Sequence, residues 1–292
     1  MTFALHRAEC LEWMRAQPPR SFHAVVADPP FTPLEFDAGN VAKLRAGRGG
    51  VWRQPPSIGG NRRAPLPRYT VVTPEDERRM RSFMAAWYAE VARLLVPGGH
   101  AFVAASTATE RLIFSPADGS GLERRGVVAR LVRTLRGGDK PKGAEGEFPD
   151  VCTTPRAAWE PWAVLRAPLS ERTVAQNLRR HGAGALRRLA DGRPFCDVIP
   201  CAPAGKKERA LSPHPSLKPQ RFVRRIVRAA LPLGRGLVLD PFAGGGSTLA
   251  AAERLGADSV GVEMDEVFCA MARAGVPALA RFDDDETETT EG

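Results

Sequence analysis

The sequence predicts a doubly wound α/β protein built on one mostly parallel sheet. Short, continuously apolar runs such as Val25-Val26-Ala27 and Leu237-Val238-Leu239 read as strands covered on both faces. Helical stretches alternate with these runs, as in βαβ units. A glycine-rich turn, Gly244-Gly245-Gly246, joins one run to a helix, which is where open parallel sheets place a ligand crevice.

Phe3 to Glu9 and Phe22 to Asp28 read as strands, with Leu11 to Ala16 a short helix between them. From Thr32 to Thr73 the pattern gives way to Pro, Gly and Arg, and a loop of that length is either functional or disordered. Pro74-Glu75-Asp76-Glu77 opens a helix with acids in its first turn, and Phe83, Trp87, Val91, Leu94 and Leu95 form its apolar face. Val96-Pro97-Gly98-Gly99 is expected to end it. His100 to Ala105, Val127 to Leu135 and Trp162 to Arg166 read as strands, with 137–150 a Gly/Lys/Glu linker. Pro168 to Gly192 reads as Arg-rich and irregular. Pro219 to Leu231 is then a helix, Gly236 to Asp240 a strand, Ser247 to Leu255 a helix, Ser259 to Glu263 a strand and Asp265 to Arg273 a helix.

A chain of 292 residues can bury one large core. One domain is expected over 1–282, with insertions near 32–73 and 168–200 and a disordered acidic tail at 283–292. No apolar run nears the ~20 residues of a membrane span, and no secretory signal is visible, so a cytoplasmic location is expected. The five cysteines lack C-x-x-C spacing, which argues for reduced thiols and against a metal site. The net charge is +9 despite the acidic tail, so the body is basic and suits a polyanionic partner.

Strand, Asp240, glycine-rich turn and helix together form the pattern of a nucleotide-like cofactor site. Gly244, Gly245 and Gly246 allow close backbone approach, and Phe242 precedes them. Ser247 is expected to cap the helix, whose N-terminus attracts an anion such as a carboxylate. Glu263 ends the next strand, where an acid grips ribose hydroxyls. The spacing is not G-x-G-x-x-G, which argues against a nicotinamide cofactor.

Asp28-Pro29-Pro30-Phe31, following a buried strand and partnered by that turn, resembles the catalytic motif of the beta class of S-adenosylmethionine-dependent DNA amino-methyltransferases, the N6-adenine and N4-cytosine family. His214-Pro215-Ser216-Leu217-Lys218-Pro219 resembles the family's H-P-x-x-K-P signature. Ala8-Glu9-Cys10-Leu11-Glu12 resembles G-D-C-L-E, with Glu9 in place of the family's Asp. Trp87 to Phe102, Trp159 to Leu165, and Thr173 to Asn177 with Gly182 to Leu186 resemble further family segments, and Gly245 stands where the family has Ser.

The resemblance implies the family's methyltransferase sheet with a circularly permuted motif order, the catalytic motif preceding the cofactor loop. It implies S-adenosylmethionine held by Glu9, Asp28, Ser216, Lys218, Asp240, Phe242, Gly244, Gly245, Gly246, Ser247 and Glu263. An aromatic exocyclic amine is a poor nucleophile, because its lone pair is delocalised into the ring. Asp28 and the Pro29 carbonyl, in a backbone stiffened by Pro30, would accept its hydrogens and aim the lone pair at the methyl group. Phe31 would stack the extruded base. Asp at the first position favours adenine over cytosine in this family. The implied partner is double-stranded DNA, contacted through 32–73 and 168–200; a homodimer and a cognate restriction endonuclease stay open. RNA or protein-amide methylation and a noncatalytic DNA-binding role are the competing readings.

Overall fold

The computed structural model describes residues 3–30, 57–58, 61–62, 73–136, 141, 143–153, 155 and 157–283. Phe31, most of the 32–73 insertion and the tail beyond Asp283 lie outside the described residues. In chain order the strands are β1 (Phe3–Arg7), β2 (Phe22–Ala27), β3 (Ser57–Ile58), β4 (Asn61–Arg62), β5 (Leu95–Ala104), β6 (Glu123–Arg136), β7 (Ala157–Arg166), β8 (Val198–Pro200), β9 (Leu237–Asp240) and β10 (Asp258–Glu263). The helices are α1 (Cys10–Arg15), α2 (Pro74–Leu94), α3 (Glu110–Phe114), α4 (Val174–His181), α5 (Lys206–Leu211), α6 (Gln220–Ala230), α7 (Ser247–Arg254) and α8 (Glu266–Arg281).

Eight strands form one sheet in the order β1-β10-β9-β2-β5-β7-β6-β8, and β3 pairs with β4 apart from it. Every neighbouring pair in the large sheet is parallel except those of β7, which runs antiparallel to both β5 and β6. The expected doubly wound, mostly parallel architecture is therefore present, with one reversed strand.

The buried run in β2 shows why the sheet is covered on both faces. Val25 and Ala27 join the core under α1 and α2, with Met14, Met84, Trp87 and Tyr88. Ala24 and Val26 join the opposite core, with Phe222, Val223 and Ile226 of α6. Period-2 alternation across a strand sends these neighbours to opposite faces. Helix α2 starts on a capping box in which Thr73 Oγ1 accepts from the Asp76 backbone N–H and Asp76 Oδ2 accepts from that of Thr73, both at 3.1 Å.

Two stretches differ from the expectation. Helix α2 passes into β5 at Leu95, and Pro97-Gly98-Gly99 belongs to the strand rather than to a separate stop. Gly98 has φ +83°, and a Cβ there would lie 2.5 Å from the Asn177 amide nitrogen, so close packing sets the glycine. Pro168 to Gly192 is not irregular throughout, because it contains α4. Thr173 and Gln176 form its capping box, and Gly182 ends it at φ 68°. Among the described residues, no helix is long and apolar enough to cross a membrane.

From β9 the chain winds through α7 outward to β10, whereas from β2 it winds the other way to β5. Strands β9 and β2 are neighbours, so the sheet has its topological switch point between them. A ligand crevice is expected at the carboxyl ends of these strands.

Candidate active site

Asp28 leaves the end of β2 beside that crevice. Its Oδ2 lies 2.8 Å from the Lys218 ammonium, and its Oδ1 is buried with no hydrogen-bond partner among the described residues. Lys218 Nζ also lies 3.3 Å from Glu160 Oε2. The reversed direction of β7 explains why Glu160 is here: its first half lies at the carboxyl edge, with Trp162 opposite Ala104 of β5. Trp162 Nε1 donates to Glu160 Oε1 at 2.7 Å. Arg130, opposite Glu160 in the β6–β7 ladder, approaches it to 3.6 Å, donates to the Ala202 carbonyl at 3.1 Å and stacks over Phe222 at 5.3 Å. Four charges therefore alternate in sign from Asp28 through Lys218 and Glu160 to Arg130.

Burial pushes the Asp28 carboxyl above its usual range, against the pull of Lys218. Burial alone would strip Lys218 of its proton, but Asp28 and Glu160 outweigh it and hold the ammonium above its ordinary value. Glu160 is buried too, yet Lys218 and Arg130 keep it below the ordinary carboxylate range. The proton thus sits on Lys218, between two carboxylates.

The glycine turn forms the other wall. Glu263 Oε2 accepts from the Gly244 N–H at 2.9 Å and Oε1 from the Asp265 N–H at 2.8 Å, so this acid ties the turn to the end of β10. Burial raises the Glu263 carboxyl. Asp240 Oδ1 accepts from the Phe242 N–H at 3.1 Å, and burial pushes its carboxyl up to about 7, with Asp28 and Glu263 adding to the rise. Phe242 itself packs into the core, 5.7 Å from the ring of Trp87.

A Cβ on Gly245 would meet His214 Cβ at 2.6 Å and Ser212 Oγ at 2.8 Å. That crowding gives a physical reason for glycine where the family has serine. Ser212 Oγ donates to the Gly245 carbonyl at 2.9 Å, and the His214 ring stands edge-on to Phe268 at 4.4 Å. Burial lowers the His214 imidazole to about 4, so it is neutral at pH 7.

Ser247 does not cap α7. The N-cap is Gly246, in the left-handed region at φ 83° with no side-chain cap. The Ser247 hydroxyl instead donates to the Lys218 carbonyl at 3.0 Å and accepts from the Lys218 N–H at 3.2 Å, stapling the His214–Pro219 segment to the turn.

Of the residues singled out from sequence, the structure gathers Asp28, Lys218, Asp240, Gly244, Gly245, Gly246 and Glu263 at the carboxyl edge. Glu9 lies just beyond β1, one residue after Ala8, whose N–H donates to the Glu263 carbonyl at 3.1 Å, and its side chain caps α1. Ser216 is exposed, with its backbone N–H on His214 Nδ1 at 3.2 Å. Pro29 is buried and Pro30 half-buried. Glu160, Arg130 and His214 were not chosen from sequence. His214 and Glu160 lay within quoted signatures, but nothing linear in the chain marks Arg130.

The chain is similar to known proteins in one region and in overall fold. Residues 160–274 match the family model of N6/N4 DNA methylases, described as DNA methylase. Type II methyltransferase M2.DpnII of Streptococcus pneumoniae is 32% identical over 93 residues, covering 32% of this chain and 34% of the relative. The chain thus spans about a third of the length of the relatives it matches. TTHA0409 of Thermus thermophilus, solved with S-adenosyl-L-methionine, superposes with a TM-score of 0.59 at 20% identity, over 96% of this chain and 97% of that one. PvuII DNA methyltransferase, a cytosine-N4-specific enzyme, superposes at 0.61 with 14% identity, over 98% of this chain and 89% of that one.

Proposed function

We propose that this chain, whose residues 160–274 belong to the N6-adenine/N4-cytosine DNA methylase family, moves a methyl group from S-adenosylmethionine to an exocyclic amino nitrogen of a DNA base. Adenine N6 is the preferred target, on the family's association of Asp at position 28 with adenine; cytosine N4 is the alternative. One observation carries the reading. Asp28, paired through Oδ2 with Lys218, stands at the sheet's switch point beside a glycine turn braced by Glu263.

The residues fit the cofactor. Asp28, Asp240 and Glu263 bring three carboxylates to one edge; burial raises Asp240, with Asp28 and Glu263 adding to the rise, and burial raises Glu263, with Asp265 adding to it. A cationic sulfonium complements such a set. When bound, S-adenosylmethionine supplies an electrophilic methyl group. Glu263 would hold the ribose side while bracing Gly244, and Glu9 would meet the adenine end. Asp28 would accept an amino hydrogen, strengthening as positive charge grows on the nitrogen, and the Pro29 carbonyl would accept the second. Positioning and fixed charge suffice for this chemistry.

Basic residues of 32–73 are the favoured DNA contacts. In 168–200, Arg180 pairs with Glu171 and Arg193 with Asp191, which leaves those two less available. A cognate endonuclease, a second copy of the chain and a place in restriction–modification stay within this proposal. The test is single-molecule sequencing of DNA from a methylation-free host expressing the chain. N6-methyladenine in a fixed context is expected; N4-methylcytosine would move the target, and unmodified DNA would overturn the reading.

A further inference from the structure

We infer that Glu160 is a positioning residue: it is a second seat for the Lys218 ammonium, which leaves Asp28 for Glu160 when the target amino group arrives. This inference rests on the methyl transfer proposed above. Oδ1 of Asp28 is shut from solvent, so an incoming amine meets the carboxylate at Oδ2, the oxygen Lys218 already holds at 2.8 Å. Two sets of N–H donors then compete for one acceptor. Driving a buried ammonium off its counter-ion with nowhere to go is strongly unfavourable. Glu160 Oε2, 3.3 Å from the same nitrogen, removes that obstacle, since a shift of a few tenths of an ångström completes the second pair.

Glu160 cannot follow the ammonium back. Trp162 Nε1 holds one oxygen, and Arg130, fixed by the Ala202 carbonyl, faces the other. When Lys218 withdraws, Asp28 loses its close cation and regains its full strength as an acceptor, just as the amine nitrogen gains positive charge. The other ionisable groups in play are Asp240 at the end of β9, which faces Asp28, and His214, which faces Lys218 and is neutral.

The test compares Glu160→Gln, Lys218→Met and the double variant with the parent. Melting temperature and cofactor affinity report folding. In Glu160→Gln, single-turnover methylation should fall by about tenfold or more, because Lys218 has no second seat. The Asp28 titration, read by carbon NMR of its carboxyl and by the acid limb of the pH–rate profile, should move to lower pH. The negative charge of Glu160, which raises the Asp28 carboxyl, is then gone. In Lys218→Met the same titration should move to higher pH. In the double variant, loss of Glu160 should add no further slowing, since there is no ammonium to relocate.

Slowing that multiplies in the double variant, with an unmoved Asp28 titration, would reveal a packing defect and overturn the inference. An unslowed Glu160→Gln would also overturn it, and would mean the amine is accepted at Oδ1 while Lys218 stays. If the parent methylates no DNA, the proposed function fails, and the NMR titrations alone then decide the seat. Should Glu160→Gln not fold, Glu160→Asp sets the charge one methylene back, and the same directions are expected at smaller size.

Discussion

Two clusters at opposite edges of the sheet, around Asn177 and around Asp28, bury polar groups in different ways. At the amino edge, Asn177 is wholly buried and its amide is fully used. It donates to the Pro97 and Ala183 carbonyls, each at 2.8 Å, and accepts from the Ser170 N–H at 3.2 Å. Nearby, Arg166 donates to Glu123 through Nε and Nη2, at 3.0 and 2.6 Å, and to the Gly184 carbonyl through Nη1 at 3.1 Å. At the carboxyl edge, Asp28 Oδ1 has no partner among the described residues, Lys218 is shared by two carboxylates, and Asp28 and Glu263 crowd Asp240. The Asn177 and Arg166 contacts hold the fold, though the buried His100 Nδ1 opposite Arg166 has no partner among the described residues, whereas the shared charges at the carboxyl edge retain capacity for a ligand.

The sharpest way to break this contrast is Asp28→Ala. If the carboxyl edge is chemical, methyl transfer should fall by roughly 100-fold or more, with cofactor affinity changed far less. Rates measured at saturating cofactor and DNA check it, and a parent-like rate would sink the mechanism. Asn177→Ala probes the other edge. It leaves two carbonyls and an N–H without their partner and should cost about 2–3 kcal/mol of stability. Urea unfolding measures that loss. The folded fraction should still transfer methyl at the parent rate, and a selective rate loss would erase the distinction between the edges.

Glu263→Ala tests whether the braced turn belongs to the cofactor. Loss of a hydrogen bond to a charged group should weaken S-adenosylmethionine binding by roughly 1.5–3 kcal/mol. Calorimetry reads it directly. Because Glu263 also holds the Gly244 and Asp265 N–H groups, Glu263→Gln should recover part of the loss, as its amide oxygen can still accept from one of them.

Much of the carboxyl edge was legible in the sequence, for identifiable reasons. β2 and β9 announce themselves because strands covered on both faces are apolar throughout, and the glycine turn marks the helix that follows. What stayed hidden is long-range. Glu160 meets Lys218 only because β7 runs backwards, and Arg130 reaches Glu160 through strand register. Neither fact has a local signal. The α4 helix was missed despite one, since Thr173-x-x-Gln176 and Gly182 are legible start and stop residues that an Arg-rich composition masked. The expected Ser247 cap failed because the αL Gly246 took that position and freed the hydroxyl for Lys218.

The last test concerns Asp240, a buried acid at the same edge. Burial lifts its carboxyl to about 7 in the folded protein, against about 4 for an unfolded Asp. A carboxyl raised on folding binds its proton more tightly in the native state. Its contribution to stability is therefore fully present below about pH 4 and is lost as pH rises toward 7. Asp240→Asn fixes the neutral form, keeps an acceptor for the Phe242 N–H and removes this dependence. The melting temperature of the variant relative to the parent should accordingly increase between pH 4 and pH 7. Saturating S-adenosylmethionine should shrink that gain, since a cation beside the three acids favours ionised Asp240. A melting difference that stays constant across that range would show that Asp240 is satisfied as an anion, and the carboxyl edge would then be less incomplete than the comparison holds.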